Sequence, residues 1–337
     1  MKMSVESIVY SDKTVYFIPK ELNMLFSCSN MDEQIKMIDI VPEEDGYTQR
    51  QFNGLCKVDN KIVLVPYAAK RIWIYDLELK TWNSVDIGKY ISEENDSKFS
   101  GCVQWEGAVY LLGYGFNGIL SLNLNTYELE DIFQKDGFCL WGQKVAIDGC
   151  SVSIALPYEK KYAVLNLETK EVTFVDVDIS DGGLSSVGYD GTNKIILPSK
   201  GNRYYVMKGE TNIEEYGLPH ELSKSLYNGL VVSDKYIYGY SSWGKSFLVN
   251  REKNDVIVID SDTFFVEYIK GTGFIESQKG VLNFYDDEFV LKKTILLTID
   301  NEKLEEYYYR YSIMSKIYNE NDSFSLSQYL KKIVQTE

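Results

Sequence analysis

One pattern occurs twice without a gap, 47 residues apart, as Phe52-Asn-Gly-Leu-Cys-Lys-Val-Asp-Asn-Lys-Ile-Val-Leu-Val-Pro-Tyr67 and Phe99-Ser-Gly-Cys-Val-Gln-Trp-Glu-Gly-Ala-Val-Tyr-Leu-Leu-Gly-Tyr114. Each copy contains two apolar runs separated by a short turn, Asp59-Asn60 in the first and Glu106-Gly107 in the second. Asp, Asn and Gly tolerate the positive φ angles that two-residue hairpin loops require. Each copy is therefore predicted to be a β-hairpin.

Equivalent turns recur along most of the chain. They are found at Ser11-Asp12, Asp59-Asn60, Glu106-Gly107, Asp148-Gly149, Asp190-Gly191, Ser233-Asp234 and Lys279-Gly280. The second residues of these turns are 48, 47, 42, 42, 43 and 46 positions apart. A period of about 45 residues with four short strands and no helical pattern is typical of a β-propeller blade.

Two further markers repeat with the hairpins. The second strand ends in Pro or Gly, followed by Tyr at five positions: Tyr67, Tyr114, Tyr158, Tyr240 and Tyr285. A turn opened by Asp or Asn, with an apolar residue six positions later, is expected between the third and fourth strands at 76–82, 123–129, 166–172 and 260–266. Glycine also recurs early in the first strand, where neighbouring blades converge and leave little room for a side chain.

We therefore predict an all-β fold, a single β-propeller of about seven four-stranded blades, with six as the alternative. The propeller is assigned to residues 1–311. The tail, 312–337, is expected to carry a short helix at 323–334 that packs on the propeller or docks a partner. Because the third strand of the sixth blade is expected only at 256–260, residues 241–255 are interpreted as an insertion.

The hairpin of the second blade and the spacing from Tyr75-Asp76 to Trp82 resemble a kelch repeat. The diglycine that ends the second strand of a typical kelch repeat is replaced here by Pro-Tyr or Gly-Tyr. The resemblance implies a kelch-like or galactose-oxidase-like propeller. It leaves function open, because such propellers serve as adaptors, glycan binders and enzymes.

Composition narrows the classes of partner. The chain has 337 residues and a net charge of −15, which disfavours nucleic acid and anionic membranes. No apolar run reaches the length of a membrane span, and no secretory signal is visible. The cysteines are odd in number and form no Cys-x-x-Cys pair, which favours free thiols and a cytoplasmic location: Cys28, Cys56, Cys102, Cys139 and Cys150.

No motif for catalysis, a metal or a cofactor is recognised. With one histidine, His220, the chain has no internal two-His metal site, which excludes the copper chemistry of galactose-oxidase relatives. The Gly-x-Gly-x-x-Gly at 113–118 joins two strands and opens no helix, so it is interpreted as a loop. We predict no cofactor and no catalytic residue.

In a propeller, the second-to-third loops and the fourth-to-first connections share one rim. Aromatic, amide and cationic residues on this rim are the predicted ligand contacts: Asn53, Tyr67, Arg71, Tyr114, Trp141, Tyr158, Arg203, Asn228, Tyr240, Trp243, Lys245 and Arg251. Aromatic side chains stack on sugar rings and anchor protein interfaces. The leading hypothesis is a non-catalytic recognition or scaffold module that binds a protein partner or a glycan through this rim.

Two alternatives stay open. The first alternative is that the recurring tyrosines pack between blades and do not bind a ligand. The second alternative is that the chain is a metal-independent carbohydrate-active enzyme, such as an epimerase, mutarotase or glycosidase, with Glu or Asp and Arg at the channel mouth. A carboxylate and an arginine converging there would favour the enzyme.

Overall fold

A computed structural model describes residues 1–42, 50–91, 95–209, 212–260 and 262–300, together with residues 302, 304, 305 and 309. These residues form seven four-stranded antiparallel sheets in which the strands follow one another in chain order. The predicted tail at 312–337, with its helix at 323–334, lies outside the described residues. The fold is therefore a propeller of seven blades, and the six-bladed alternative is wrong.

The first four blades contain these strands: β1 (Ile8–Ser11), β2 (Thr14–Phe17), β3 (Met24–Ser29) and β4 (Lys36–Ile40); β5 (Phe52–Val58), β6 (Lys61–Pro66), β7 (Arg71–Asp76) and β8 (Thr81–Asp86); β9 (Phe99–Trp105), β10 (Ala108–Gly113), β11 (Gly118–Asn123) and β12 (Leu129–Gln134); β13 (Trp141–Asp148), β14 (Ser151–Ala155), β15 (Lys161–Asn166) and β16 (Val172–Asp176).

The last three blades contain these strands: β17 (Leu184–Tyr189), β18 (Lys194–Pro198), β19 (Arg203–Lys208) and β20 (Asn212–Gly217); β21 (Gly229–Val232), β22 (Tyr236–Tyr240), β23 (Ser246–Asn250) and β24 (Asp255–Ile259); β25 (Thr263–Ile269), β26 (Gly273–Gln278), β27 (Val281–Tyr285) and β28 (Leu291–Leu296). A 3-10 helix, His220–Leu222, precedes the sixth blade.

The first strand of each blade lies next to the central axis, and consecutive first strands contact each other from β1 to β25. The predicted close approach of their glycines is confirmed. A Cβ on Gly54 would lie 3.2 Å from the Cα of Gly101, and a Cβ on Gly101 would lie 2.0 Å from the carbonyl oxygen of Gly142. Glycine at these positions lets three neighbouring first strands converge on the axis.

The predicted insertion at 241–255 is wrong, because these residues include the third strand of the sixth blade, Ser246–Asn250. Its Phe247, Leu248 and Val249 are almost fully buried. Both Asn250 and Asp260 are followed by an apolar residue six positions later, so the sequence offered two registers. The Asn250 side chain accepts bonds from the backbone N–H groups two and three residues ahead, as a turn-opening residue does.

This shift by one strand carries over into the seventh blade. Lys279-Gly280, predicted as its first hairpin turn, connects its second and third strands. The first hairpin turn of that blade is Lys270–Thr272, with Gly271 at a φ of 77°. The other six predicted hairpin turns lie between first and second strands as expected.

The ring is closed by the start of the chain, which lies against the end of the seventh blade. The backbone N–H of Met3 donates to Leu297 at 2.9 Å, and its carbonyl accepts from Gly280 at 2.9 Å. Met3 and Val5 share a buried apolar cluster with Leu297. Residues from both ends of the propeller therefore complete one core and join the first blade to the seventh.

Buried tyrosines predict a loss of stability at alkaline pH. Burial raises the pKa of Tyr204 to about 12 and raises the pKa values of Tyr227, Tyr238 and Tyr240 as well. A group with a raised folded-state pKa contributes stability that is complete below the unfolded-state value, near 10, and is lost as the pH rises through the folded-state value. Burial lowers the pKa of Lys144, which acts in the opposite sense, but it is one group against four.

We therefore expect the free energy of unfolding to fall steadily from pH 10 to pH 12. Urea unfolding at pH 8, 9, 10 and 11, combined with phenolate absorbance, measures this. An unfolding free energy that stays constant to pH 11 would contradict the expectation.

Candidate functional site

Alternating strand direction divides the loops between two ends of the propeller. We call the end with the second-to-third loops and the fourth-to-first connections the rim, and the opposite end the hairpin end. All the residues predicted from sequence as ligand contacts lie at the rim except Arg251. Arg251 follows the third strand of its blade, lies at the hairpin end and bonds Asp190 Oδ2 at 2.6 Å. Its assignment to the rim is wrong because the register of the sixth blade was shifted.

Aromatic rings from the third and fourth blades form one cluster on the rim. The hydroxyl oxygens of Tyr114 and Tyr158 are 2.9 Å apart, and the rings of Tyr114 and Trp141 meet edge to face with centroids 5.7 Å apart. Trp141 Nε1 donates to the carbonyl oxygen of Asn228 at 2.7 Å. This last bond reaches from the fourth blade to the sixth. We call Tyr114, Trp141, Tyr158, Asn228 and Trp243 the rim cluster.

The sixth blade completes the rim cluster with a hydrogen-bonded loop. Asn228 Oδ1 accepts from the backbone N–H of Ser242 at 2.8 Å and from its hydroxyl at 2.9 Å. The backbone N–H of Trp243 donates to Ser241 Oγ at 3.1 Å, while its side chain is 74% exposed. The loop backbone is thus fixed by hydrogen bonds and holds an unburied indole at the surface.

Tyr240 does not reach this surface. It is fully buried, and its hydroxyl fills the space left by Gly229, where a Cβ would lie 2.4 Å from that oxygen. Burial raises its pKa well above the ordinary value. For Tyr240 the packing interpretation is therefore confirmed. Tyr285, at the end of a third strand, also points into protein and donates to Glu276.

The predicted rim cations form hydrogen bonds or ion pairs with neighbouring side chains. Arg71 Nη1 donates to Ser84 Oγ at 3.1 Å. Arg203 lies 3.0 Å from Glu215, and Lys245 lies 2.7 Å from Glu221. These pairs are partly exposed, so they orient the cations and add little to stability.

A charged group that the sequence did not predict lies where the rim meets the channel. Glu6, which is 8% exposed, lies 2.6 Å from Lys20 Nζ and 2.7 Å from Arg50 Nε. The Arg50 guanidinium covers the ring of Tyr67 at 4.3 Å, and Ser97 donates to the Tyr67 hydroxyl at 2.9 Å. No spacing in the sequence marks this group, because the residues meet where the first blade packs against the second.

The channel itself is crossed by a second ion pair. Lys144 on β13 in the fourth blade lies 2.5 Å from Glu267 on β25 in the seventh, and its ammonium is 4.0 Å from the centre of the Phe265 ring. Burial lowers the pKa of Lys144, while Glu267 acts against that shift. A cavity of about 200 Å³ surrounds the pair. The only sequence signal for this ion pair is a lysine within the first strand of a blade.

Another cavity, of about 700 Å³, lies away from the rim. It lies at the hairpin end between the third and fourth blades and contains none of the predicted contacts. Glu106, Glu128, Glu130 and Glu168 line it, and Lys170 lies 2.5 Å from Glu130.

Within the described residues, no three His, Cys, Asp or Glu side chains are grouped as metal ligands. The described part of the chain also contains no helix long and apolar enough to cross a membrane.

Comparison with known proteins yields likeness in structure only. No protein-family model and no curated protein matches the sequence. Virginiamycin B lyase from Staphylococcus aureus superposes with a TM-score of 0.64 at 10% identity, over 82% of this chain and 94% of that one. PorZ of the Porphyromonas gingivalis type-IX secretion system superposes with a TM-score of 0.61 at 14% identity, over 89% of this chain and 39% of that one.

YCF48 bound to a D1 peptide gives a TM-score of 0.62 at 9% identity, over 84% of this chain and 92% of that one. At such identities the likeness concerns fold and carries no activity with it. Membership of the kelch-like family is not confirmed. Sequence, sheet topology and these comparisons agree on a seven-bladed β-propeller built from four-stranded antiparallel blades.

Proposed function

We propose that this protein is a recognition module that binds a segment of a protein partner across its rim cluster. The observation that carries the proposal is the pair of aromatic side chains at the two ends of this cluster. Tyr158 and Trp243 are each 74% exposed. Between them runs a continuous series of contacts through Tyr114, Trp141 and Asn228.

The way these rings are held supports a binding role. Exposed Trp and Tyr are the side chains most enriched at energetically dominant interface positions. The Trp243 loop is bonded to Ser241 and, through Ser242, to Asn228, so little backbone entropy is lost on binding. Leu226, which is 47% exposed, donates its backbone N–H to the carbonyl of Trp243 and extends the apolar surface.

A propeller of the same fold supports a protein partner. YCF48 has been solved with a D1 peptide bound. The acidic surface of the present chain, with a net charge of −15, favours a segment that combines aromatic or aliphatic side chains with Lys or Arg. The rim cluster would supply the apolar contacts, and Glu221 and Asp260, beside Lys245, would supply acidic ones.

A carbohydrate-active enzyme is the second candidate, and one observation favours it. Glu6 and Arg50 converge at the channel mouth, which is the arrangement that such an enzyme would use. However, Glu6 Oε1 is paired with Lys20 at 2.6 Å, and Oε2 is buried 2.7 Å from Arg50 Nε, where it makes no hydrogen bond and has almost no accessible surface. A general acid or base must have its proton-transferring oxygen within reach of the substrate, so the rim cluster is the better-supported site.

Replacing Trp243 with alanine is expected to weaken peptide binding by roughly thirty-fold, since truncating an aromatic anchor costs about 2 kcal/mol or more. The full chain would be panned against a displayed library of random peptides, and the affinity of a selected peptide measured by calorimetry. Tyr158→Ala is expected to reduce the affinity of the same peptide.

Met31→Ala is the matched control, because Met31 is 84% exposed at the hairpin end, remote from the rim cluster. Its affinity should equal that of the parent chain. Selected peptides that bind Trp243→Ala and Tyr158→Ala unchanged would refute the rim cluster as the site. Sugar turnover by the purified protein would replace the proposal with the second candidate.

A further inference from the structure

Two cysteines lie on neighbouring first strands beside the axial channel. Cys56 is on β5 in the second blade, and Cys102 is on β9 in the third. A Cβ on Gly54 would lie 3.2 Å from the Cα of Gly101, which puts the Cα atoms of these glycines within about 5 Å of each other. Cys56 follows Gly54 by two residues, and Cys102 follows Gly101 by one. Both cysteines therefore lie next to the point where the two backbones converge.

The alternation of side chains along a strand turns the two cysteines toward each other. Gly54 and Cys56 share the side of β5 that faces the third blade, since a Cβ on Gly54 would meet Gly101. A Cβ on Gly101 would meet Gly142 of the fourth blade, so Cys102, one residue further on, points the opposite way, toward the second blade. Both cysteines pack against the same buried apolar cluster between the second and third blades.

The two thiols are in contact and differ in their access to small molecules. A hydrogen bond with Cys102, together with burial, raises the pKa of the Cys56 thiol well above its ordinary value. Cys56 is therefore protonated at neutral pH. Cys102 is only partly buried and lines the axial cavity, whose volume of about 200 Å³ far exceeds the roughly 10–15 Å³ that one water requires. A molecule little larger than water therefore has access to Cys102.

The other three of the five cysteines lie apart from this pair. Cys28 is on β3 in the first blade, and Cys139 and Cys150 lie at opposite ends of β13 in the fourth. Burial raises the pKa of Cys28 to about 12 and that of Cys139 to about 11, so both are protonated thiols at neutral pH. Since the thiolate is the nucleophilic form of cysteine, burial protects both from oxidation.

We propose that Cys56 and Cys102 form a reversible disulfide that joins the second and third blades, with hydrogen peroxide from the axial channel as the oxidant. The Cys102 sulfur attacks one peroxide oxygen, the O–O bond breaks and a water leaves, which gives a sulfenic acid on Cys102. The Cys56 sulfur then attacks the Cys102 sulfur, the S–O bond breaks and a second water leaves. Two thiols are oxidised, and one peroxide is reduced to two waters. A dithiol reverses the reaction by exchange.

The test treats the full folded chain with hydrogen peroxide, counts the remaining thiols and maps disulfides by mass spectrometry of unreduced peptides. Dimedone traps any sulfenic acid. Cys56→Ser and Cys102→Ser each remove one partner, and circular dichroism checks that both variants fold. Cys150→Ser is the matched control, because Cys150 is a partly buried thiol in the hairpin turn after β13, in another blade. The link mapped in the parent chain does not depend on the folding of any variant.

We expect the parent chain and Cys150→Ser each to lose two thiols, to yield a peptide that joins Cys56 to Cys102, and to regain both thiols with dithiothreitol. Cys56→Ser should instead accumulate a dimedone adduct on Cys102.

Oxidation should raise the urea midpoint of unfolding of the parent chain but not of Cys56→Ser or Cys102→Ser, because the disulfide restricts the unfolded chain between residues 56 and 102. Trp243→Ala should oxidise as the parent chain does, which separates this site from the rim. The proposal is overturned if the folded parent chain forms no link between Cys56 and Cys102, if the link forms equally fast in urea, or if dimedone labels Cys56 in Cys102→Ser more readily than it labels Cys102 in Cys56→Ser.

Discussion

Replacing Glu276 with alanine is expected to destabilise the propeller by about 4 kcal/mol or more. Glu276 is fully buried between the sixth and seventh blades, and both of its oxygens accept hydrogen bonds. Its five donors are the Tyr238 hydroxyl, Thr263 Oγ1 at 3.1 Å, Gln278 Nε2 at 3.0 Å, Asn283 Nδ2 at 3.1 Å and the Tyr285 hydroxyl at 2.8 Å.

A carboxylate suits this position because it only accepts hydrogen bonds. The NH2 group of an amide would donate, and it would face neighbouring groups that are also donors. Alanine would leave several buried donors without an acceptor, and each such group costs about 1–3 kcal/mol. Glu276→Gln should therefore also destabilise the protein, by less than alanine. Urea denaturation followed by circular dichroism measures both changes.

Glu168→Ala serves as the control, since Glu168 is an exposed acid in a turn. Its unfolding free energy should lie within about 0.5 kcal/mol of the parent chain. Similar urea midpoints for Glu276→Ala and Glu168→Ala would show that the buried carboxylate does not hold the two blades together.

Replacing Gly101 with alanine is expected to destabilise the protein by about 3 kcal/mol or more, because the new methyl group would lie 2.0 Å from the backbone oxygen of Gly142. Backbone cannot move aside as a flexible side chain can, so the third and fourth blades must separate. Gly54→Ala should cost less, since its Cβ would lie 3.2 Å from its nearest neighbours. The measured order of destabilisation should be Gly101, then Gly54.

Gly182→Ala is the matched control, because no heavy atom lies within 4 Å of its added Cβ. This substitution should leave the urea midpoint of unfolding unchanged or raise it slightly, since alanine reduces the entropy of the unfolded chain. Equal midpoints for Gly101→Ala and Gly182→Ala would mean that the first strands are not held at the spacing described.

The rim cluster lies beside the axial channel, because Trp141 at the start of β13 bonds Asn228 of the sixth blade. The rim cluster presents exposed rings around Trp243, and the axial cavity is lined mainly by residues near the rim ends of the first strands, among them Asn53, Gly54 and Gly142. Trp141 and Lys144 belong to the same strand, β13, so its bulge lies next to the rim cluster on one side and forms the cavity wall on the other.

Part of the candidate site could be predicted from sequence. The position of Tyr114 and Tyr158 just after a second strand placed both at the rim, because strand direction alternates within a blade. Tyr240 was also predicted there, but a glycine on the adjacent strand, Gly229, gives its ring room to turn inward. Sequence spacing specifies the end of a strand at which a residue lies and leaves open whether its side chain is exposed.

The sequence by itself determined the repeat, the four-stranded blade and most of the turns, because each of these depends on residues within about 45 positions of one another. Turns opened by Asp76, Asn123 and Asn166 are local hydrogen-bonded structures, so their residues reveal them directly. Where two such turn-opening residues compete, as at Asn250 and Asp260, burial of the strand that ends at Asn250, β23, decides between them.

Only the tertiary structure decided which residues meet across the axis. Lys144 and Glu267 are 123 positions apart, and Trp141 and Asn228 are 87 apart. Their contacts depend on the closing of seven blades and on a bulge in β13, and neither leaves a period in the sequence. The physical reason is that periodicity reports local backbone geometry, whereas a channel is formed by side chains whose positions are set by every blade at once.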